Sequence, residues 1–161
     1  MTLLEQCAVL IEAGEARLLQ VGDVVQWADK LIVALDKPPP WIIELSTLHS
    51  NHVADYLLLL RQQTSVQLSP RQRIQLLIHA YQLNRLSLDE LLQKCFEIII
   101  LEENKNLLTE SENRLADLLV EWDCNDLIIN QDLKSRFEEQ FSEYMSGAEE
   151  TTFLLQKLMS G

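Results

Sequence analysis

The apolar residues of this 161-residue chain recur at steps of three and four almost from end to end, and that spacing constrains the fold more than any other feature. Leu3, Leu4, Cys7, Ala8, Leu10 and Ile11 form one such run, Val24, Val25, Ala28, Leu31, Ile32 and Leu35 a second, and Leu115, Leu118, Leu119 and Trp122 a third. A period near 3.6 places them on one stripe of an α-helix. No stretch alternates polar and apolar residues while being rich in Val, Ile or Thr, and no Asn-Gly or Gly-Asn hairpin signal occurs. The chain therefore reads as all-α.

Start and stop signals divide that pattern into separate helices. A Ser, Thr or Asp followed three residues later by Glu or Gln lets the two side chains satisfy each other's unpaired backbone N–H groups at a helix N-terminus. Such pairs stand at Thr2/Glu5, Asp23/Gln26, Ser69/Gln72, Ser87/Glu90, Thr109/Glu112 and Ser146/Glu149, with Pro70 at a first helical position. Gly14 or the 19–22 stretch closes the first helix, and Lys37-Pro38-Pro39-Pro40 breaks the second. A third helix is predicted from Trp41 to Gln63, ended by Gln62-Gln63-Thr64-Ser65. Further helices fall at 70–84, 88–103, 110–123, 126–145 and 148–159, with a possible break near Asn130. Short loops imply antiparallel neighbours, giving an irregular bundle of about seven to eight helices arranged as hairpins. At this length the chain is expected to form a single domain over 1–161.

One internal echo runs through the chain. Leu10-Ile11-Glu12-Ala13 and Leu77-Ile78-His79-Ala80 each lead through an Arg-Leu pair, Arg17-Leu18 and Arg85-Leu86, into a capped second helix, with the register slipping by one residue. Two repeats favour a compact bundle over a solenoid, which needs at least three. Trp27 and Trp41 flank the proline turn and are expected to fix the angle between its helices.

Charge narrows the function classes. Thirteen basic side chains stand against 25 acidic ones, a formal net of −12, and residues 102–161 hold 14 acids and 5 bases of that total. A field of that sign repels phosphate backbones and anionic lipid, which argues against direct nucleic-acid or membrane binding. The N-terminus has no basic region, and the longest apolar runs, such as 7–11 and 31–35, are five residues, so neither a signal peptide nor a membrane span is expected. Cys7, Cys95 and Cys124 form no Cys-x-x-Cys pair, which fits reduced thiols and a cytoplasmic location. No cofactor is implied.

Several constellations carry candidate chemistry. His49, His52 and Asp55, three apart on the predicted third helix, could share a face and hold a divalent metal if Glu44 or His79 completed the set, although a polar stripe on a half-exposed helix is the preferred explanation. On that basis a small metal-dependent enzyme is one alternative. Cys95 would need a histidine brought to it by the fold, and its neighbours Leu91, Leu92, Ile98 and Ile99 give it a core position. The helix pair around Asn84-Arg85-Leu86-Ser87 sits in a basic island, but Asp89 and Glu90 occupy the turn that a DNA-reading helix needs for donors. Those carboxylates complement the helix dipole.

The acidic stretch from Glu102 to Asp132 is the preferred docking feature. Glu110, Glu112, Asp117, Glu121 and Asp123 surround Trp122, which serves either as an anchor between charged rims or as a core residue. The preferred expectation is thus a non-catalytic interaction module for a basic protein partner. A third alternative is a self-associating structural protein using Phe137, Phe141 and Tyr144, spaced four and three, unless those rings pack in the core. In its acidic, motif-free, all-helical profile the chain is similar, as a class, to bacterial immunity and inhibitor proteins that neutralise basic toxins. The resemblance implies an inhibitor-like or adaptor role and is carried by no single motif.

Overall fold

The computed structural model describes residues 1–101, 109–146 and 149–160. Among them lie nine α-helices and no strand: α1 Leu3–Glu15, α2 Val21–Ala34, α3 Pro40–Thr47, α4 Val53–Gln63, α5 Pro70–Gln82, α6 Leu88–Phe96, α7 Glu110–Cys124, α8 Gln131–Met145 and α9 Glu149–Ser160. A π-turn, Glu97–Leu101, continues α6. The fold is all-α, as the spacing predicts. Among the described residues no helix is long and apolar enough to cross a membrane.

Local chemistry explains most boundaries. Thr2, Ser69 and Ser87 each accept from the backbone N–H three residues on, while Glu5, Gln72 and Glu90 reach back to the cap N–H. Thr109 stands at the N-cap position of α7, but the expected reciprocal cap does not form: its hydroxyl bonds the Glu112 carboxylate instead of a backbone N–H. Helix α2 begins three residues before the expected position, because the Gln20 N–H donates to Asp23 Oδ2 at 2.7 Å and makes Asp23 the third residue of the helix. Asn130 caps α8 by accepting from the Leu133 N–H at 2.8 Å, so the predicted 126–145 helix starts at Gln131. Ser146 closes α8, its hydroxyl donating to the Glu143 carbonyl at 2.7 Å, and the predicted link to Glu149 passes through 147–148, outside the described residues.

The predicted helix from Trp41 to Gln63 is two helices. Residues 48–52 separate α3 from α4, and the Tyr56 hydroxyl donates to the Leu48 carbonyl at 2.5 Å and bridges to that of Ser50 at 3.2 Å. These carbonyls have left the helical ladder. Leu45, Tyr56, Leu57 and Leu60 are all buried, so apolar spacing alone does not reveal the break.

The chain forms two compact units, residues 1–68 with 153–161, and residues 69–152. In unit 1, α1 packs on α4 and α2 on α3. Gly14 admits the close approach of α1 to α4, since a Cβ there would lie 2.7 Å from Leu57 Cδ2. Trp27 and Trp41 meet across the proline turn with ring centroids 6.5 Å apart, as expected of residues fixing that corner. In unit 2, α5 packs on α6 and α8, while α7 packs on α6 and α8. Gln75 ties this core internally, donating to the Tyr144 carbonyl at 3.3 Å and accepting from the Thr151 hydroxyl at 2.7 Å.

The two units share a helical scaffold at a constant offset of 67 residues. Ser69 follows Thr2 by that interval as the first cap, and each opening helix has 13 residues. Both then close in a Schellman turn: Leu18 N–H donates to Ala13 O and Arg85 N–H to Ala80 O, each at 2.8 Å, with Arg17 at φ 59° and Asn84 at φ 58°. Gln20 and Ser87 begin the second helices, and Leu19 and Leu86 are both buried. The one-residue slip came from matching Arg-Leu pairs. The backbone instead matches Arg17 with Asn84, because the turn selects a left-handed residue rather than a side-chain type.

Candidate functional site

Unit 2 carries 17 acids and 8 bases, a net of −9, against 8 acids and 5 bases in unit 1. Its α6 face and the end of α7 enclose a groove of about 490 Å³. Asp89 and Glu97 are exposed along one wall, and Glu90 lies between them, one oxygen already accepting from the Ser87 N–H at 3.0 Å. Gln93 donates to Glu97 at 3.4 Å. Lys94 adds one cation, so the lining keeps a negative excess.

Trp122 lines this groove while remaining only 2% exposed, and its indole N–H has no acceptor among the described residues. The opposite rim is the turn that closes α7. There the Leu127 N–H donates to the Trp122 carbonyl at 3.1 Å, and Asp126 and Leu127 stand at φ 56° and 61°. Two successive left-handed L-residues are costly, and Asp tolerates this region better than Leu. Leu127 is nevertheless 48% exposed, and the adjacent Ile128 is 67% exposed. A strained turn thus holds the Leu127 side chain beside the groove's carboxylates.

The residues expected to form the acidic docking face are distributed differently. Glu112 is 1% exposed and bonded to Thr109, and burial, followed by the charge of Glu112, pushes the Tyr144 hydroxyl far above the ordinary tyrosine range. Glu121 forms a two-bond clamp with Arg136 at 2.8 and 2.6 Å, and Arg136 also pairs with Asp132 at 3.1 Å. These hydrogen bonds lower the Glu121 carboxyl and raise Arg136. Glu110 lies 3.8 Å from Arg114, which also pairs with Glu143. Asp117 and Asp123 are exposed and have no ion-pair partner among the described residues. Of these acids only Glu121 is answered from α8, Glu110 has its cation within α7, and Trp122 takes its core position. Glu102 and Glu103 lie outside the described residues.

The self-association face expected at Phe137, Phe141 and Tyr144 is core rather than surface. All three are buried, Phe137 stacks on Phe141 at 5.8 Å, Tyr81 meets Phe141 edge-on at 6.3 Å, and the Arg71 guanidinium covers Tyr144 at 5.1 Å. Their stripe is the one by which α8 packs. His49 and His52 lie in the loop between α3 and α4 rather than on a helix, so the shared face assumed for them with Asp55 does not form. Asp55 instead accepts from the Ser50 hydroxyl. Among the described residues no three His, Cys, Asp or Glu side chains converge on a possible metal position. Burial lowers His79, and it pushes the Cys7 thiol up to about 11 and the Cys95 thiol up to about 12. Cys95 is a protonated core thiol at neutral pH.

Asp89, Glu97 and Leu127 are the groove residues that periodicity did not single out. Asp89 already had a sufficient explanation in the helix dipole. The Asn125-Asp126 pair does mark a turn, but nothing local says that Leu127 joins it in the left-handed region or beside α6. No protein-family model, curated protein or solved structure matches this chain.

Proposed function

We propose that unit 2 is a non-catalytic docking module for a basic, amphipathic segment of a partner protein, working in a reducing cytoplasmic setting as an inhibitor or adaptor does. The observation that carries this reading is the juxtaposition of exposed Leu127 with Asp89 and Glu97 around the Trp122-lined groove, with exposed Ile128 next to Leu127 in the chain. Apolar side chains supply contact area, while the carboxylates steer a cationic segment and set its register. Internal comparison supports the assignment. At the 67-residue offset, Glu90 corresponds to Asp23, and both serve as cap partners, whereas Asp89 and Glu97 correspond to Gly22 and Lys30. The helical scaffold keeps its cap acid in both units, so it does not itself require the other two.

The test uses a synthetic helical peptide of about 14 residues built from Lys and Leu at helical spacing, titrated into isotopically labelled protein. Amide shifts should concentrate at 89–97 and 122–128, and affinity should fall steeply with salt. An Asp89→Lys/Glu97→Lys variant should weaken binding about tenfold or more. Unchanged affinity in that variant, or shifts centred on Asp117 and Glu139, would overturn the assignment.

A further inference from the structure

A second cavity, of about 340 Å³, lies wholly within unit 1, and its charge is opposite to that of the chain. Helix α2 contributes Trp27, Lys30, Leu31 and Ala34, spaced three, one and three so that they fall on one face, and α9 contributes Lys157 and Leu158. Trp27 and Leu158 are buried and supply apolar walls. The Trp27 indole N–H donates to Gln6 Oε1 at 3.0 Å, so the aromatic wall makes no further polar demand. No carboxylate stands among the described lining residues, and neither Lys30 nor Lys157 has an ion-pair partner among the described residues. Lys30 makes one long contact, 3.4 Å to the Met159 carbonyl, which leaves ammonium N–H groups to spare. Lys157 complements the C-terminal end of α9, but Lys30 lies outside the last turn of α2, so helix-dipole compensation does not account for it.

We propose that this cavity binds an aliphatic carboxylate, the chain against Trp27, Leu31 and Leu158 and the head between Lys30 and Lys157. Two cations without ion-pair partners, at a concavity completed by Met1, Gln6 and apolar side chains and lined by no carboxylate among the described residues, in a unit whose acids outnumber its bases, are a charge arrangement that one anionic head completes. The volume falls within the range of small-molecule sites. Lysine ammonium groups act as point charges, which suits a single carboxylate without demanding planar bidentate geometry.

The probe is decanoate, below its aggregation concentration, titrated calorimetrically into the full chain, with decanol as the uncharged equivalent. Decanoate should bind at one site per chain with a Kd on the order of 0.1 mM, consistent with the efficiency of small ligands. Decanol should bind about tenfold more weakly. A Lys30→Met/Lys157→Met variant, which keeps the aliphatic stems, should lose about tenfold or more for decanoate and nothing for decanol. An Ala34→Trp variant, filling the cavity from an exposed position, should abolish binding of both. Absence of stoichiometric binding at 1 mM, equal affinity for decanoate and decanol, or full retention by either variant would overturn the proposal.

Discussion

Leu127→Gly separates the groove turn from an ordinary core position. Leu127 stands at φ 61°, a region that costs an L-residue about 1–2 kcal/mol and that glycine occupies freely. With 48% of the residue exposed, its removal forfeits roughly half the ~1.5–3 kcal/mol of a fully buried leucine, or about 1 kcal/mol. The larger unfolded-state freedom of glycine removes another ~0.5–1 kcal/mol. These opposing contributions nearly cancel, so stability should stay within about 1 kcal/mol of the parent, where a buried Leu truncation costs ~2–5 kcal/mol. Urea unfolding followed by circular dichroism, with the slope checked for constancy, measures this directly. In parallel, affinity for the Lys/Leu peptide should fall about tenfold or more, because an exposed anchor has been removed from the rim. A stability loss above ~3 kcal/mol would show that Leu127 is a core residue and that the strain reasoning is mistaken. Unaltered peptide affinity would detach the turn from docking.

Two glycines in unit 1 should respond oppositely to the same methyl group. Nothing lies within 4 Å of a Cβ at Gly22, so Gly22→Ala should stabilise by ~0.4–1 kcal/mol, whereas Gly14→Ala meets Leu57 at 2.7 Å. There the helix gain of ~1 kcal/mol is outweighed by ~1–3 kcal/mol of overpacking, and thermal unfolding should show a net loss; equal stabilisation at both positions would refute the close approach of α1 and α4. The Glu121–Arg136 clamp should be visible in acid. Because Arg136 holds the folded-state carboxyl below its usual value of 4.5, Glu121 contributes stability that is present above its unfolded-state pKa and lost as pH falls through the folded one. Arg136→Met should return the Glu121 titration midpoint, followed by carboxyl NMR, to near 4.5. A midpoint that does not move would assign the shift to another cause.

Helix type and most helix starts were legible in the sequence because they depend on contacts within three or four residues. Thr2 with Glu5, Ser69 with Gln72, and Ser87 with Glu90 act over that range, and an apolar stripe needs only the period of one helix. The 48–52 break was not legible, because the apolar period continues across it and its carbonyls are collected by Tyr56 from the following helix. Nor could composition distinguish a solvated acid from a clamped one: Glu121 is answered by Arg136 fifteen residues away, and Glu112 is buried although the residues around it are charged.

Residue pattern alone established an all-α chain, the caps at Thr2, Ser69 and Ser87, and the concentration of negative charge towards the C-terminus. Tertiary structure alone decided that Phe137, Phe141 and Tyr144 are core, that Asp89 and Glu97 flank a groove with Leu127, and that Lys30 shares a cavity with Lys157. The first set follows from interactions local along the chain. The second depends on which helix faces meet, and those meetings join residues tens of positions apart whose identities carry no local mark of one another.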